Sequence, residues 1–254
     1  MKAVILDVAN SQHLTILVSL LETCRPCYIH MGLPCGTCSR AREKPLPKHL
    51  QHRRAPQPLR SEEHLEGVPS LTGSDLLKVQ MANSLYKASV VILEVCRRIG
   101  CCITIENPLR SWLWMLLAHY VRLTGNQALI QWYSALECVM FDACAHGSDR
   151  DKRTKLLATP TVFSDLEQYC SQDHQHASWA PYQHNGKLCF PTASEAEYPP
   201  LLCTRIADCV LKFASSRGIV VSQSHKLKDL MKLQLGQQSI KHPPLIPEFK
   251  DFVF

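Results

Sequence analysis

The sequence predicts an α/β fold in which helices cover an open sheet, because short apolar runs alternate with longer segments of helical periodicity. Strand-length runs occur at Tyr28, at residues 101–105 and at residues 136–141. Apolar residues recur at helical spacing over residues 14–21 and 74–98. With 254 residues, of which 46% are hydrophobic, the chain can bury one substantial core.

The composition favours an intracellular protein without a membrane anchor. No run of about 18 apolar residues is present, which a membrane-spanning helix would need. The start, MKAVILDVAN, has an acidic residue too early for a signal peptide. Thirteen cysteines, an odd number spread through apolar segments, are typical of reduced core thiols rather than of a disulfide framework. We therefore expect a nuclear or cytoplasmic location and no membrane partner, and the net charge of +6 permits binding to nucleic acid.

The chain divides into a folded part, residues 1–215, and a basic, proline-containing tail, residues 216–254. Within the folded part, residues 43–73 are rich in proline, arginine and histidine and predict a flexible loop. The predicted elements are a strand at 2–7, a helix at 14–21 capped by Ser11, a strand at Tyr28, a helix at 74–98 that ends at Gly100, a strand at 101–105, a helix from Pro108 through Arg122, a strand at 136–141 and a helix after Pro191.

Two polar sequences follow predicted strands and carry candidate chemistry. The stretch MGLPCGTCSRAR begins at Met31 and predicts a tight turn that displays Cys35 after the Tyr28 strand. The strand at 101–105 runs into Glu106 and Asn107. Because the carboxyl ends of neighbouring strands share one crevice in an open α/β sheet, we expect a cysteine and a glutamate to converge there.

These residues resemble a known family. Pro34-Cys35, with Ser39 and Arg40-Ala41-Arg42 downstream, is similar to the nucleophile loop PPCQxFSxAxxR of DNA cytosine-5 methyltransferases. Ile105-Glu106-Asn107 is similar to that family's second signature, a strand that ends in ENV. The chain more closely resembles a methyltransferase-like domain of mobile-element-derived eukaryotic proteins, in which PCGTxSRAR, ENP and EAEYP recur. Four positions depart from the enzyme patterns, namely Leu33, Gly36, Cys38 and Pro108.

The resemblance implies a Rossmann-like methyltransferase sheet with helices on both faces, and a DNA substrate. Such a fold begins with a strand and a Gly-rich turn for the cofactor, here S-adenosylmethionine. None of the ten glycines forms such a turn, so we expect a sheet that is incomplete at its amino end, as in a truncated gene product. We therefore leave open a non-catalytic remnant that acts as a nucleic-acid-binding or interaction module.

The resemblance also implies roles for individual residues. Cys35 is the expected nucleophile, activated by nearby cations for which Arg40 and Arg42 are candidates. Glu106 would hold the cytosine, Asn107 would orient the loop and Arg153 would help to hold a flipped base. The cofactor is expected at Asp7 and Pro34, and nucleic acid at Ser39, Arg40, Arg42, Arg53, Arg54 and Arg60.

A third hypothesis is a small zinc module. Cys170, His174 and His176 are ligand types that zinc accepts, and a fourth ligand would come from Cys144, His146 or Cys189. The pairs Cys24, Cys27 and Cys35, Cys38 also have CxxC spacing. The seven residues between these pairs are fewer than the usual 15 to 20 of a zinc ribbon, and an apolar strand fills the gap. The spacing therefore favours the nucleophile for Cys35.

Overall fold

Helices lie on both sides of a four-stranded mixed sheet in the computed structural model, which describes residues 5–53, 55–192 and 197–219. In these ranges the α-helices are α1 (Ser11–Cys24), α2 (Gly73–Ile99), α3 (Leu113–Leu123), α4 (Gln127–Ser134) and α5 (Pro200–Ser216). The strands are β1 (Tyr28–Gly32), β2 (Cys102–Pro108), β3 (Glu137–Asp142), β4 (Arg153–Ala158), β5 (Tyr182–His184) and β6 (Lys187–Cys189). The last two form a separate hairpin. The predicted α/β class is confirmed.

The strand order of the main sheet is β1-β2-β4-β3. β1 and β2 are parallel and are connected by α2, whereas β4 runs antiparallel to both of its neighbours. Gly32, at the end of β1, pairs with Glu106, and Pro108, at the end of β2, pairs with Thr154. The carboxyl ends of β1 and β2 therefore lie side by side, next to the start of β4.

Alternate residues of β2 contribute to two separate cores, because successive side chains of a strand point to opposite faces. Ile103 and Ile105 pack in a core with side chains from α1 to α4. Cys102 packs on the other face with Phe141 and with Leu202 of α5. Glu106, an even-numbered residue of β2, consequently lies on the α5 face.

Most predicted element boundaries shift by a few residues for local reasons. Asn10, rather than Ser11, caps α1, and its side chain accepts hydrogen bonds from the backbone of Gln12 and His13. α2 ends at Gly100 as predicted, in the left-handed conformation that glycine favours. β2 continues through Pro108, so the next helix, α3, starts only at Leu113. α4 was not predicted.

The segment 43–73, predicted to be a flexible loop, is packed against the domain at several points. Leu46, Leu50 and Leu59 are buried, and Arg60 is only 1% exposed. Arg60 donates to the Thr37 hydroxyl at 3.0 Å. The expectation that Arg60 contacts phosphate was wrong, because its guanidinium group is used inside the domain.

Both ends of the chain contain predictions that lie partly outside the described residues. The strand expected at 2–7 does not occur over residues 5–7, and residues 1–4 lie outside the described ranges. Of the expected tail, residues 220–254 also lie outside them. No helix in the described part of the chain has the length and apolar character that crossing a bilayer requires.

Candidate functional site

A line of polar side chains crosses β1 and β2 on the face covered by α5. Tyr28 and His30 alternate along β1, and Thr104 and Glu106 alternate along β2, so that all four share this face. The Thr104 hydroxyl lies 2.6 Å from Tyr28 Oη and 2.8 Å from His30 Nδ1. His30 Nε2 lies 3.0 Å from the hydroxyl of Tyr198, which donates to Glu106 Oε2 at 3.2 Å. Five groups therefore form one continuous hydrogen-bond chain.

The donors and acceptors in this chain can be assigned from Glu106. An ionised carboxylate only accepts, so Tyr198 uses its single proton towards Glu106. His30 then donates from Nε2 to the Tyr198 oxygen, and in its neutral form, which burial favours by lowering the pKa, it accepts at Nδ1 from Thr104. Burial lowers the pKa of His30 and raises that of Tyr198, while burial raises the pKa of Tyr28 to about 12. The hydrogen-bonded groups between Tyr28 and the Glu106 carboxylate are therefore uncharged.

Gly32 allows Tyr198 to reach this chain. A Cβ atom at position 32 would lie 2.7 Å from the Tyr198 hydroxyl, well inside van der Waals contact. Glycine is required here for close approach, which is one of the uses of a residue without a side chain. Tyr198 immediately precedes Pro199 and α5, so the start of α5 packs closely against the end of β1.

Lys152 partners the second oxygen of Glu106. Its ammonium group lies 3.4 Å from Glu106 Oε1, and the Glu106 residue is only 7% exposed. Lys152 immediately precedes β4, which pairs with β2. Both oxygens of a nearly buried carboxylate are thus held by polar partners, as buried charges require.

Cys35 lies within electrostatic range of this carboxylate and lysine. Burial raises the pKa of the Cys35 thiol, Lys152 opposes that rise and Glu106 adds to it. Cys35 therefore lies near enough to Glu106 and Lys152 for both charges to act on its pKa. Lys152, rather than the candidates Arg40 and Arg42, is the cation that opposes the rise in this pKa.

Arg40 and Arg42 have other partners. Arg40 forms an ion pair with Glu43 at 2.9 Å and lies over the ring of Trp112. Arg42 donates from Nε to the backbone oxygen of Gly36 at 3.2 Å. Both arginines thus stabilise the loop that carries Cys35 rather than the thiol itself.

Asn107 joins the two strand ends. Its side-chain nitrogen donates to the backbone oxygen of Leu33 at 2.7 Å and to that of Glu106 at 3.0 Å. The Asn107 side chain lies on the opposite face of β2 from Glu106, since the two residues are adjacent. It is therefore placed to orient the Cys35 loop, the role expected from the sequence.

Arg153 lies apart from the Glu106 carboxylate. It begins β4 rather than lying in a turn, and it forms a two-pronged ion pair with Asp142 at 2.7 and 2.8 Å. This pair, together with the backbone N–H of Cys170, lowers the pKa of Asp142. The described contacts of Arg153 thus connect β4 to β3 and not to the Cys35 loop.

The two residues predicted for cofactor binding have local partners. Asp7 is exposed, and its carboxylate accepts a hydrogen bond from the backbone of Ala9 in its own turn. The backbone oxygen of Pro34 accepts from the hydroxyl of Tyr86. Binding of S-adenosylmethionine at these residues stays a prediction.

The residues predicted to bind nucleic acid differ in their surroundings. Ser39 caps the short 3₁₀ helix Arg40–Glu43 by accepting from the backbone of Ala41. Arg53 is exposed, whereas Arg54 lies outside the described residues. Ser39 is thus accounted for by its structural role, and Arg53 remains accessible.

A second cluster of reactive side chains lies beyond β3. Cys144, Cys170, His174 and His176 bring their ligand atoms within 4.8 Å of one another. Of the three candidates for the fourth ligand, Cys144 is the one that lies in the cluster. Cys189 lies on β6, and His146 is hydrogen-bonded to the backbone oxygen of Leu166. Over the described ranges, no other group of three or more histidine, cysteine or acidic side chains converges in this way. The two CxxC pairs therefore do not form such a group.

Sequence reasoning missed His30, Tyr198 and Lys152 as members of the site. The alternation of polar side chains in β1, at Tyr28 and His30, was the available signal. Lys152 and Tyr198 follow Glu106 by 46 and 92 residues and reach it only through the tertiary fold. The EAEYP sequence that contains Tyr198 gives no local sign of its contact with Glu106.

Comparisons of the chain with protein-family models, with curated proteins and with solved structures find no match. The chemical interpretation of the site therefore rests on the polar chain through Glu106, on Lys152 and on the half-buried Cys35 thiol.

Proposed function

We propose that this domain is related to DNA cytosine-5 methyltransferases and binds a cytosine base between Cys35 and Glu106. The convergence of the Cys35 thiol, the Glu106 carboxylate and Lys152 at adjacent strand ends carries the proposal. The parallel β1–β2 pair with its helical crossover supports a Rossmann-like sheet, in which ligands bind at the carboxyl ends of the strands.

The chemistry begins with the cytosine ring. Carbon 5 of cytosine is a poor nucleophile, but addition of the Cys35 thiolate to carbon 6 converts the ring into an enamine with electron density at carbon 5. Glu106 in its protonated form would donate to ring nitrogen 3 and accept from the exocyclic amine, so that the charge developing at nitrogen 3 is neutralised. Tyr198 and Lys152 hold the two oxygens of Glu106 in the orientation this requires.

The Cys35 thiol must lose its proton to solvent before the thiolate adds to carbon 6. Burial raises the pKa of this thiol, so the protonated form predominates at neutral pH in the free protein. Lys152 favours the thiolate and is the residue that counteracts burial. The thiol therefore stays protonated until a bound base or a higher pH favours its deprotonation.

Methylation would follow only if a methyl donor binds. The family resemblance implies S-adenosylmethionine for this purpose, whereas the described contacts of Asp7 and Pro34 are local ones. We therefore propose the reversible thiol addition as the chemistry of these residues, with cytosine-5 methylation as the reaction that the addition serves in the resembled family.

The partner that fits this site is a nucleic acid, with DNA as the first choice. A base inside a duplex cannot reach a crevice between strand ends, so the target must be flipped out or single-stranded. The exposed side chain of Arg53 and the net charge of +6 are compatible with phosphate contacts.

Hydrogen exchange at carbon 5 tests the addition without any methyl donor. An enamine formed at Cys35 takes up a deuteron from the solvent at carbon 5; loss of the original carbon 5 proton to solvent and expulsion of the thiolate from carbon 6 then leave deuterium on the base. A single-stranded oligonucleotide incubated with the protein in heavy water should gain deuterium at cytosine, measured by mass spectrometry. Cys35→Ser should abolish this gain, while Cys203→Ser, at an exposed thiol on α5, should leave it unchanged.

Two results would redirect this proposal. Exchange that persists in Cys35→Ser would exclude Cys35 as the nucleophile. Salt-sensitive oligonucleotide binding without exchange in any variant would favour the non-catalytic binding module, for which the raised pKa of Cys35 is the supporting observation.

A further inference from the structure

We propose that Cys144, Cys170, His174 and His176 bind one structural zinc ion. The four ligand atoms lie within 4.8 Å of one another although they come from two separate parts of the chain. Cys144 lies in the 3₁₀ turn Ala143–His146 directly after β3, and the other three lie on the loop before β5. The inference does not depend on the function of the Cys35 site.

The spacing of the ligand atoms suits a tetrahedral metal. Cys170 Sγ lies 3.4 Å from His176 Nε2 and 3.8 Å from His174 Nε2. Zinc–sulfur bonds of about 2.3 Å and zinc–nitrogen bonds of about 2.0 Å, at a tetrahedral angle, place such atoms about 3.6 Å apart. Two thiolates and two imidazoles form a ligand set that favours zinc among the common divalent metals.

The groups around the ligands also suit a metal site. The Nδ1 atom of His174 is bonded to the Asp173 carboxylate at 2.9 Å, which leaves Nε2 directed at the cluster. A carboxylate on the far nitrogen of a ligating histidine is the usual support for zinc. The backbone N–H of Gln172 donates to Cys170 Sγ at 3.3 Å, an interaction that stabilises a thiolate.

The loop that carries three of the ligands lacks regular secondary structure and is held by hydrogen bonds. Residues 167–181 form neither helix nor strand. The same loop holds the turn that precedes β4, since Trp179 donates to the carboxylate of Asp151 at 2.7 Å and Arg150 donates to the backbone oxygen of Ser178. A metal ion would join this loop to the end of β3 and so help to position the turn that ends at Lys152.

Four protein ligands complete the coordination of zinc and leave no position for water or substrate. Catalytic zinc sites keep one such position open, whereas structural sites do not. The proposed ion is therefore structural, and its removal should disorder residues 167–181 before it affects the main sheet.

Metal content provides the first test. Protein purified under reducing conditions with zinc in the medium should contain one equivalent of zinc by elemental analysis. Cys144→Ser and His174→Ala should each lose most of it. The matched controls Cys189→Ser and His184→Ala, at residues of the β5–β6 hairpin outside the cluster, should retain it.

A second measurement uses the wild-type chain, so it does not require any variant to fold. Chelation should expose the loop to chymotrypsin at Tyr169 and Trp179, and added zinc should restore protection. Replacement of zinc by cobalt should produce the visible absorption of tetrahedral cobalt with thiolate ligands. Protein that is folded but free of zinc, zinc content unchanged in Cys144→Ser, or cleavage indifferent to chelation would overturn the proposal.

Discussion

Single residues in the candidate site act through partners that are remote in the sequence. Glu106 is held by Tyr198, just before α5, and by Lys152, just before β4. Its 7% exposure means that loss of either partner leaves a nearly buried carboxylate oxygen unsatisfied. The orientation of the carboxylate thus depends on two elements that local sequence does not connect.

The raised pKa of Cys35 predicts a distinctive pH profile for its reactivity. Because only the thiolate reacts, the rate of alkylation by iodoacetamide should still be rising at pH 9.0, the ordinary pKa of a thiol. The rate at Cys35 can be followed by peptide mass spectrometry over a pH series. A plateau below pH 9 would contradict the dominance of burial.

The same measurement tests Lys152. Its ammonium group favours the Cys35 thiolate, so Lys152→Met should slow alkylation at neutral pH on the order of tenfold, equivalent to about 1.4 kcal/mol. Lys155→Met is the matched control, because Lys155 lies over the ring of Trp114 and does not act on the pKa of Cys35. Equal rates in the two variants would remove Lys152 from the site.

At the scale of elements, the segment 43–73 is rich in proline and arginine, yet buried contacts hold it against the domain. Arg60 is held by the Thr37 hydroxyl and the backbone of Leu65, with its guanidinium 5.6 Å from the centre of the Tyr86 ring. Arg53, by contrast, is exposed. Two arginines that are seven residues apart in this segment therefore differ in accessibility.

Limited proteolysis should reveal that difference. Trypsin should cleave after Arg53 much earlier than after Arg60, because a buried bond is cut only after local unfolding. Leu59→Ala should remove packing next to Arg60 and accelerate cleavage there, without changing cleavage at Arg53. Simultaneous cleavage at both arginines in the wild-type chain would show that the segment is not packed against the domain in solution.

At the scale of the whole molecule, β2 couples the two cores. Ile105 belongs to the core formed with α1 to α4, and Cys102 belongs to the core beneath α5. A residue lost from either core weakens the strand on which the other core depends. We therefore expect the sheet and its helices to unfold together.

Thermal unfolding of two core variants tests this coupling. Ile105→Ala, on one face, and Leu156→Ala, on the other, should each reduce the free energy of unfolding by about 2–5 kcal/mol. In both variants, circular dichroism and tryptophan fluorescence should report a single coincident transition. Two separate transitions would indicate that the cores are independent.

Much of this fold follows from local patterns in the sequence. Helical periodicity and Gly100 predict α2 and its end, and the apolar runs predict β1, β2 and β3. The placement of Cys35 and Glu106 at neighbouring strand ends follows from one further rule, that such ends share a crevice. Three of the four candidate zinc ligands are also visible locally, since they lie within seven residues.

The rest of the site was decided only by tertiary structure. Strand β4 lies between β2 and β3, and this pairing brings Lys152 to Glu106 and leaves Arg153 with Asp142. The docking of α5 brings Tyr198 over Gly32. The sequence by itself determined which elements form and which carry reactive groups, because periodicity and turns are local properties. Which charged groups meet was determined by strand pairing and helix packing, which join residues 46 and 92 positions apart.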